Sequence, residues 1–266
     1  MAVRQIISWL AKDFAGQENS IFVVRGGPGT GKTVLGIYLL KLLSSDIDED
    51  SGSEDEELIE NLQRIHQKKE PLKLGAVILM TNLRNIVKDT FRQTYGLDEK
   101  MVYSPSQIAN AEEDFDILVV DEAHRLRQRK NLTQYGQHDK NNAKMGLGQD
   151  GTELDWILRR SKHCILLYDQ DQTVKPTDVP AEKFQALLSG TDSLHIFDLV
   201  TQVRCILGGQ KYLDYIKAIF SQNPPSGRTD FPSYDLSLYD DVSKMVNILI
   251  AVCMISRLMA IAIFGM

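Results

Sequence analysis

Residues Ile21 to Leu40 read IFVVRGGPGTGKTVLGIYLL: an apolar, β-branched run, a glycine-rich turn, then an apolar stretch of helical length. The turn fits G-x-x-x-x-G-K-[ST] through Gly26, Gly31, Lys32 and Thr33, and its flanks predict the strand–turn–helix setting that gives the pattern meaning. Backbone N–H groups converge on a polyphosphate only where side-chain bulk is low, and Gly26, Gly27, Gly29 and Gly31 keep it low. A helix opening at Gly31 to Thr33 turns its positive dipole end toward those phosphates. Lys32 brings a cation for the β and γ groups, and Thr33 brings a hydroxyl for Mg²⁺. The expected nucleotide-binding element is therefore Gly26, Gly27, Pro28, Gly29, Thr30, Gly31, Lys32, Thr33 and Val34.

Upstream, Val3 to Phe14 places Ile6, Ile7, Leu10 and Phe14 at helical spacing, and the polar GQENS separates this helix from the first strand. Gln5 on that helix is a candidate reader of adenine, with a plain solvent-facing glutamine as the alternative. Downstream, Ala76 to Thr81 is a second apolar strand followed by a helix over Leu83 to Tyr95. Ile117 to Val120, Cys164 to Tyr168 and Ser193 to Asp198 continue the series. Strands that are nearly all apolar and alternate with helices specify an α/β fold, a parallel sheet covered on both faces. Ligands of such sheets sit at the carboxyl ends of the strands.

The chain has 266 residues, 43% hydrophobic and 25% charged, ordinary proportions for a soluble globular protein. Its formal charge is −6, but Asp46 to Glu60 alone holds nine acids and no base. Removing those nine from the 36 acids leaves 27 against 30 bases, so net charge does not exclude a nucleic-acid partner. Residues 46–60 read as an acidic, mobile insertion, since they lack the apolar content to offset ordering entropy. Residues 125–151 read as a polar loop carrying Arg125, Arg127, Arg129 and Lys130, either facing nucleic acid or simply exposed. Cys164, Cys205 and Cys253 lie at neither disulfide-framework nor zinc spacing. With no secretory signal in MAVRQIISWLAKDF, a cytoplasmic location is expected.

Lys244 to Met266 is almost wholly apolar but carries Arg257 near its middle, which costs ~2.5 to 3.5 kcal/mol within a bilayer. A helix and then a strand opening a second α/β unit is expected in preference to a membrane anchor. Residues 1–200 then form one lobe, and residues 201–266 a linker and the incomplete start of a second.

Three further places carry chemistry. The strand ILVV ends in Asp121-Glu122-Ala123-His124, where Asp121 is positioned for Mg²⁺ and Glu122 for a proton from the attacking water. The strand CILLY ends in Asp169-Gln170-Asp171-Gln172, and the Gln172 amide is suited to sense a γ-phosphate. LVTQVRC places Arg204 either at the transition-state charge or in a structural salt bridge.

Taken in order, GGPGTGKT, the strand ending in Thr81-Asn82, VVDEAHRL, LYDQDQ and LVTQVRC resemble the phosphate loop and motifs Ia, II, III and IV of superfamily 1 helicases. The set is most similar to the schlafen group 3 type of DNA/RNA helicase-like P-loop proteins. The resemblance implies a RecA-like lobe that binds ATP and Mg²⁺, with Lys32 and Thr33 on phosphate and metal, Asp121 on the metal and Glu122 as base. It implies that Gln172 and Arg204 face the γ-phosphate. It also implies a single strand of DNA or RNA across the top of the sheet near Thr81 and Asn82, with His124 in the same group and coupling the nucleotide to motif III. Tyr168 stands where such helicases usually have glycine, and motifs V and VI do not occur.

Overall fold

The computed structural model describes residues 2–16, 18–45, 55–68, 71–133, 135–172, 175–191, 193–199, 209–219, 221–227, 229, 231 and 239–251. They fall into two compact units, Met1–Arg204 and Cys205–Met266. The first is built on six strands: β1 (Ser20–Gly26), β2 (Leu74–Val77), β3 (Val102–Tyr103), β4 (Phe115–Val120), β5 (Ser161–Tyr168) and β6 (Ser193–Leu199). They form one sheet in the order β3-β2-β4-β5-β1-β6, every neighbouring pair parallel. The expected α/β architecture, a parallel sheet flanked by helices, is the fold.

Successive strand residues point to opposite faces, and here both faces are buried. Phe22, Val24, Val119, Ile165 and Leu167 meet α1 (Ala2–Gly16), α2 (Lys32–Ser44), α3 (Glu56–Lys68) and α4 (Thr81–Gln93) in one core. Ile21, Val23, Leu118, Val120 and Leu166 meet α5 (Pro105–Ala109), α7 (Glu153–Arg159) and α8 (Ala181–Leu188) in the other. This is why the strands read as unbroken apolar runs rather than alternating ones. Gly36 lets α2 lie against the sheet, because a Cβ there would come within 2.9 Å of Val119 and 2.8 Å of Leu167. Overpacking of that kind typically costs ~1–3 kcal/mol.

Strand β2 ends earlier than the apolar pattern predicts. The run Ala76 to Thr81 predicts strand throughout, yet the ladder covers Leu74–Val77 and α4 already begins at Thr81. Arg84 explains the exchange: its guanidinium donates to the Ile78 and Leu79 carbonyls at 2.9 and 3.0 Å, satisfying backbone groups that leave the sheet.

The stretch 125–151, expected as a polar loop, contains α6 (Tyr135–Lys144) and buries His138, Asn141 and Asn142. The Asn142 Oδ1 accepts from the Trp156 indole at 2.7 Å. Of the acidic insertion, residues 46–54 lie outside the described residues, and Glu56 to Glu60 opens α3. The second unit contains α9 (Gly209–Ile219) and an exposed helical stretch over 242–251. The strand expected after it lies outside the described residues. Among the described residues, no helix is long and apolar enough to cross a membrane.

Candidate functional site

In sheet order, β1 lies between β5 and β6, so the chain leaves β1 at the point where the strand order changes direction. Crevices form at such points, outside the carboxyl ends. The phosphate loop is there. Gly29 and Gly31 hold φ of 81° and 85°, the left-handed region that glycine enters without strain, and Gly31 caps the start of α2. The Thr30 hydroxyl donates to the Gly27 carbonyl at 3.0 Å, bracing the turn from within.

Lys32 is 7% exposed. Its ammonium donates to the Gly26 carbonyl at 2.5 Å and the Gly27 carbonyl at 3.0 Å, and lies 3.6 Å from Asp169 Oδ2. A buried cation is held this way by oxygens it can exchange for others. One residue on, the Thr33 hydroxyl donates to Asp121, 3.1 Å from each carboxylate oxygen. Asp121 sits just past the end of β4 and is buried, and burial raises its carboxyl above the ordinary range despite the Thr33 contact.

Glu122 has φ 54°, a left-handed conformation for a residue with a side chain. Such strain costs on the order of 1 kcal/mol and points to a site. The bend aims the carboxylate back over the sheet end, where Oε2 lies 3.1 Å from both His124 Nε2 and Arg125 Nε, within ion-pairing range though not aligned as hydrogen bonds. His124, foremost, holds the Glu122 carboxyl below its ordinary value against the opposing effect of burial, and Arg125 and Lys32 add to the lowering. The Asp169 backbone N–H donates to His124 Nδ1 at 3.3 Å.

Gln172 Nε2 donates to Asp169 Oδ2 at 2.7 Å, while its Oε1 accepts from Arg125 Nη2 at 3.3 Å. Lys32, Asp169, Gln172, Arg125, Glu122 and His124 thus form one continuous polar chain across the ends of β1, β4 and β5. Sequence reasoning identified Lys32, Glu122, His124 and Gln172 but missed Asp169 and Arg125 as members. The available signal was a cation directly after DEAH and an acid directly after CILLY.

Beside this chain is a cavity of about 460 Å³, lined among others by Thr81, Arg84, Arg125, Arg127, Gln172 and Lys175. Its wall rests on an ion pair: exposed Arg127 donates to buried Glu153 Oε1 at 2.7 and 3.0 Å, and burial raises the Glu153 carboxyl. Thr81 lines the cavity; Asn82, next to it on α4, is exposed. His124, grouped with these two for nucleic acid, is instead 1% exposed and has no surface to offer a strand. Val34 is 73% exposed, facing away from the core. Gln5 is exposed on α1. Asp13 of that helix meets His195, and Trp9 stacks on His195 and touches Phe197, so α1 runs antiparallel to β6 and its beginning points toward the phosphate-loop end. Arg204 lies outside the described residues.

Among solved structures the chain is similar to Pif1 from a Bacteroides species, in complex with ADP-AlF4, and to the helicase domain of Hef from Pyrococcus furiosus, each at 14% identity and a TM-score of 0.37. The alignments cover 82% and 77% of this chain but 45% and 42% of those chains, so it spans less than half their length. No curated protein matches. The model of the schlafen group 3 DNA/RNA helicase domain matches residues 19–253. With its phosphate loop, strand-end carboxylates and helicase-like α/β fold, the chain belongs to the schlafen group 3 DNA/RNA helicase domain family.

Proposed function

We propose that this chain binds ATP with Mg²⁺ and hydrolyses it under the control of single-stranded DNA or RNA, as one lobe of a helicase-type motor in the cytoplasm. The observation that carries this reading is the meeting, at one end of the sheet, of Lys32, Thr33, Asp121, Glu122 and Gln172, drawn from the ends of three strands. The Thr33 hydroxyl and the Asp121 carboxylate are hard oxygen donors of the kind Mg²⁺ takes. Bound there, Mg²⁺ supplies neutralisation of charge on the β and γ oxygens. Lys32 exchanges the Gly26 and Gly27 carbonyls for phosphate oxygens. Glu122, ionised, accepts a proton from the attacking water. Gln172, turned from Arg125, orients that water with its amide oxygen. Arg204 is the further cation for transition-state charge, and Gln5 reads the adenine. The strand runs through the cavity at Thr81 and past Asn82, its phosphates drawn to the lining cations.

The test is the steady-state ATP hydrolysis rate with and without single-stranded DNA or RNA, beside Glu122→Gln. Turnover that rises with the strand and disappears in the variant supports the proposal; turnover untouched by either change sinks it. A second reading, a nucleotide-gated switch that does not hydrolyse, is favoured by one observation: Arg125 engages both Glu122 and Gln172. It expects tight ATP binding with no turnover under any condition.

A further inference from the structure

Three arginines line the cavity beside this polar chain, and two are committed elsewhere. Arg84 caps the Ile78 and Leu79 carbonyls, and Arg127 grips buried Glu153 at 2.7 and 3.0 Å. Arg125 differs. It closes the short 3-10 turn Ala123–Arg125, and its side chain is 36% exposed. Its contacts are longer: 3.1 Å to Glu122 Oε2, 3.3 Å to Gln172 Oε1, 3.4 Å to His124 Nε2 and 4.0 Å to the Met80 sulfur. Two of those partners are the residues assigned above to the attacking water. The same guanidinium therefore touches the hydrolytic groups on one side and the strand cavity on the other.

A phosphodiester offers a guanidinium two oxygens in its own plane, and such charge-assisted, two-pronged contacts are about twice as strong as neutral ones. Long contacts, each to a single atom of a carboxylate, an amide and an imidazole, are poor competitors for it. We propose that Arg125 is the positioning residue through which a strand in this cavity controls hydrolysis. Bound as seen here, it holds Glu122 and Gln172 to itself; drawn onto a backbone phosphate of a single strand, it releases both toward the nucleotide. Lys175, exposed on the same cavity wall, steadies the incoming phosphate. The proposal rests on the strand-controlled ATPase reading and adds to it the residue that transmits the control.

The experiment uses the full chain, oligo(dT) and oligo(U) as strands, and wild type beside Arg125→Ala. One readout is kcat and KM for ATP with and without oligonucleotide. The other is the Kd for labelled oligonucleotide with and without the non-hydrolysable analogue AMP-PNP and Mg²⁺, which needs no turnover. In wild type the oligonucleotide raises kcat, and AMP-PNP shifts the oligonucleotide Kd by about fivefold or more, the lower end of coupling between two sites. In Arg125→Ala, kcat without oligonucleotide rises toward the stimulated wild-type value, the stimulated-to-basal ratio falls close to one, KM for ATP stays put, and the Kd shift vanishes. Arg125→Gln, which keeps a polar side chain without the charge, gives the same loss of coupling and serves if Arg125→Ala melts early. A variant that retains the wild-type ratio and Kd shift overturns the proposal, as does one whose basal kcat falls with its ratio intact, the mark of a structural prop. A wild type indifferent to oligonucleotide in both assays overturns instead the reading on which the proposal rests.

Discussion

The two ends of the sheet carry similar side chains and use them differently. At the amino end, Ser20 meets His163 Nδ1 at 2.8 Å, Asp13 meets His195 Nε2 at 2.8 Å, and Ser193 meets the same nitrogen at 2.9 Å. Rings seal that cluster: Phe14 stacks on His163 at 4.2 Å, and Trp9 and Phe22 lie over the two faces of His195 at 4.9 and 4.7 Å. At the carboxyl end the contacts run from 2.5 to 3.6 Å, several groups share a partner, and a cavity opens beside them. Short contacts sealed under stacked rings hold one arrangement. Shared and longer contacts next to open space permit exchange. One end fastens α1 to the sheet; the other is arranged to rearrange.

The sharpest way to break this contrast is at the carboxyl end. Glu122→Gln removes the proton acceptor and should lower kcat by about 10²- to 10⁴-fold, the usual contribution of a general base, while the melting temperature stays close to wild type. A variant that melts much earlier while still turning over ATP would erase the distinction. Next in size is an acid effect at the amino end. Burial holds the His163 imidazole down to about 4, well below the ordinary 6.5, so it folds neutral. Its stabilisation is complete above pH 6.5 and is lost as pH falls toward 4, because the unfolded chain takes up the proton first. The loss amounts to roughly 3 kcal/mol by linkage. Urea midpoints measured through that window should fall more steeply for wild type than for His163→Gln, and parallel curves would refute the assignment.

Lys32→Ala should weaken ATP binding by about 10- to 100-fold, in keeping with about 1.5–3 kcal/mol for a charge-assisted contact, and calorimetry reads it directly. Asp13→Ala leaves His195 and Ser193 without their buried acceptor and should cost about 1–3 kcal/mol in urea denaturation with kcat unchanged. A drop in kcat without a drop in stability would show that the amino end takes part in turnover after all.

What the sequence makes legible follows from chemistry that is local. The phosphate loop is visible because Gly29, Gly31, Lys32 and Thr33 act within one turn. The strands are visible because burial on both faces leaves no polar position in Val23-Val24 or Val119-Val120. The edge strand β3 is two residues long, too short for any period. The helix α6 is hidden by its own composition: Gln137, His138, Asn141 and Asn142 read as loop, yet the last three are buried, and the four hydrogen-bond among themselves, to Ser106 and to Trp156. Arg125 is invisible for another reason, since its meeting with Gln172 spans 47 residues and exists only once β4 and β5 lie side by side.

The left-handed bend at Glu122 sets two selections against each other. Glycine enters that region freely, so of all replacements at this position glycine relieves the most backbone strain. A library screened only for folded, soluble protein should therefore drift toward glycine at 122, and one screened for growth dependent on turnover should hold glutamate. Where those two enrichment profiles diverge along the chain, they trace the residues the fold tolerates for the sake of the reaction.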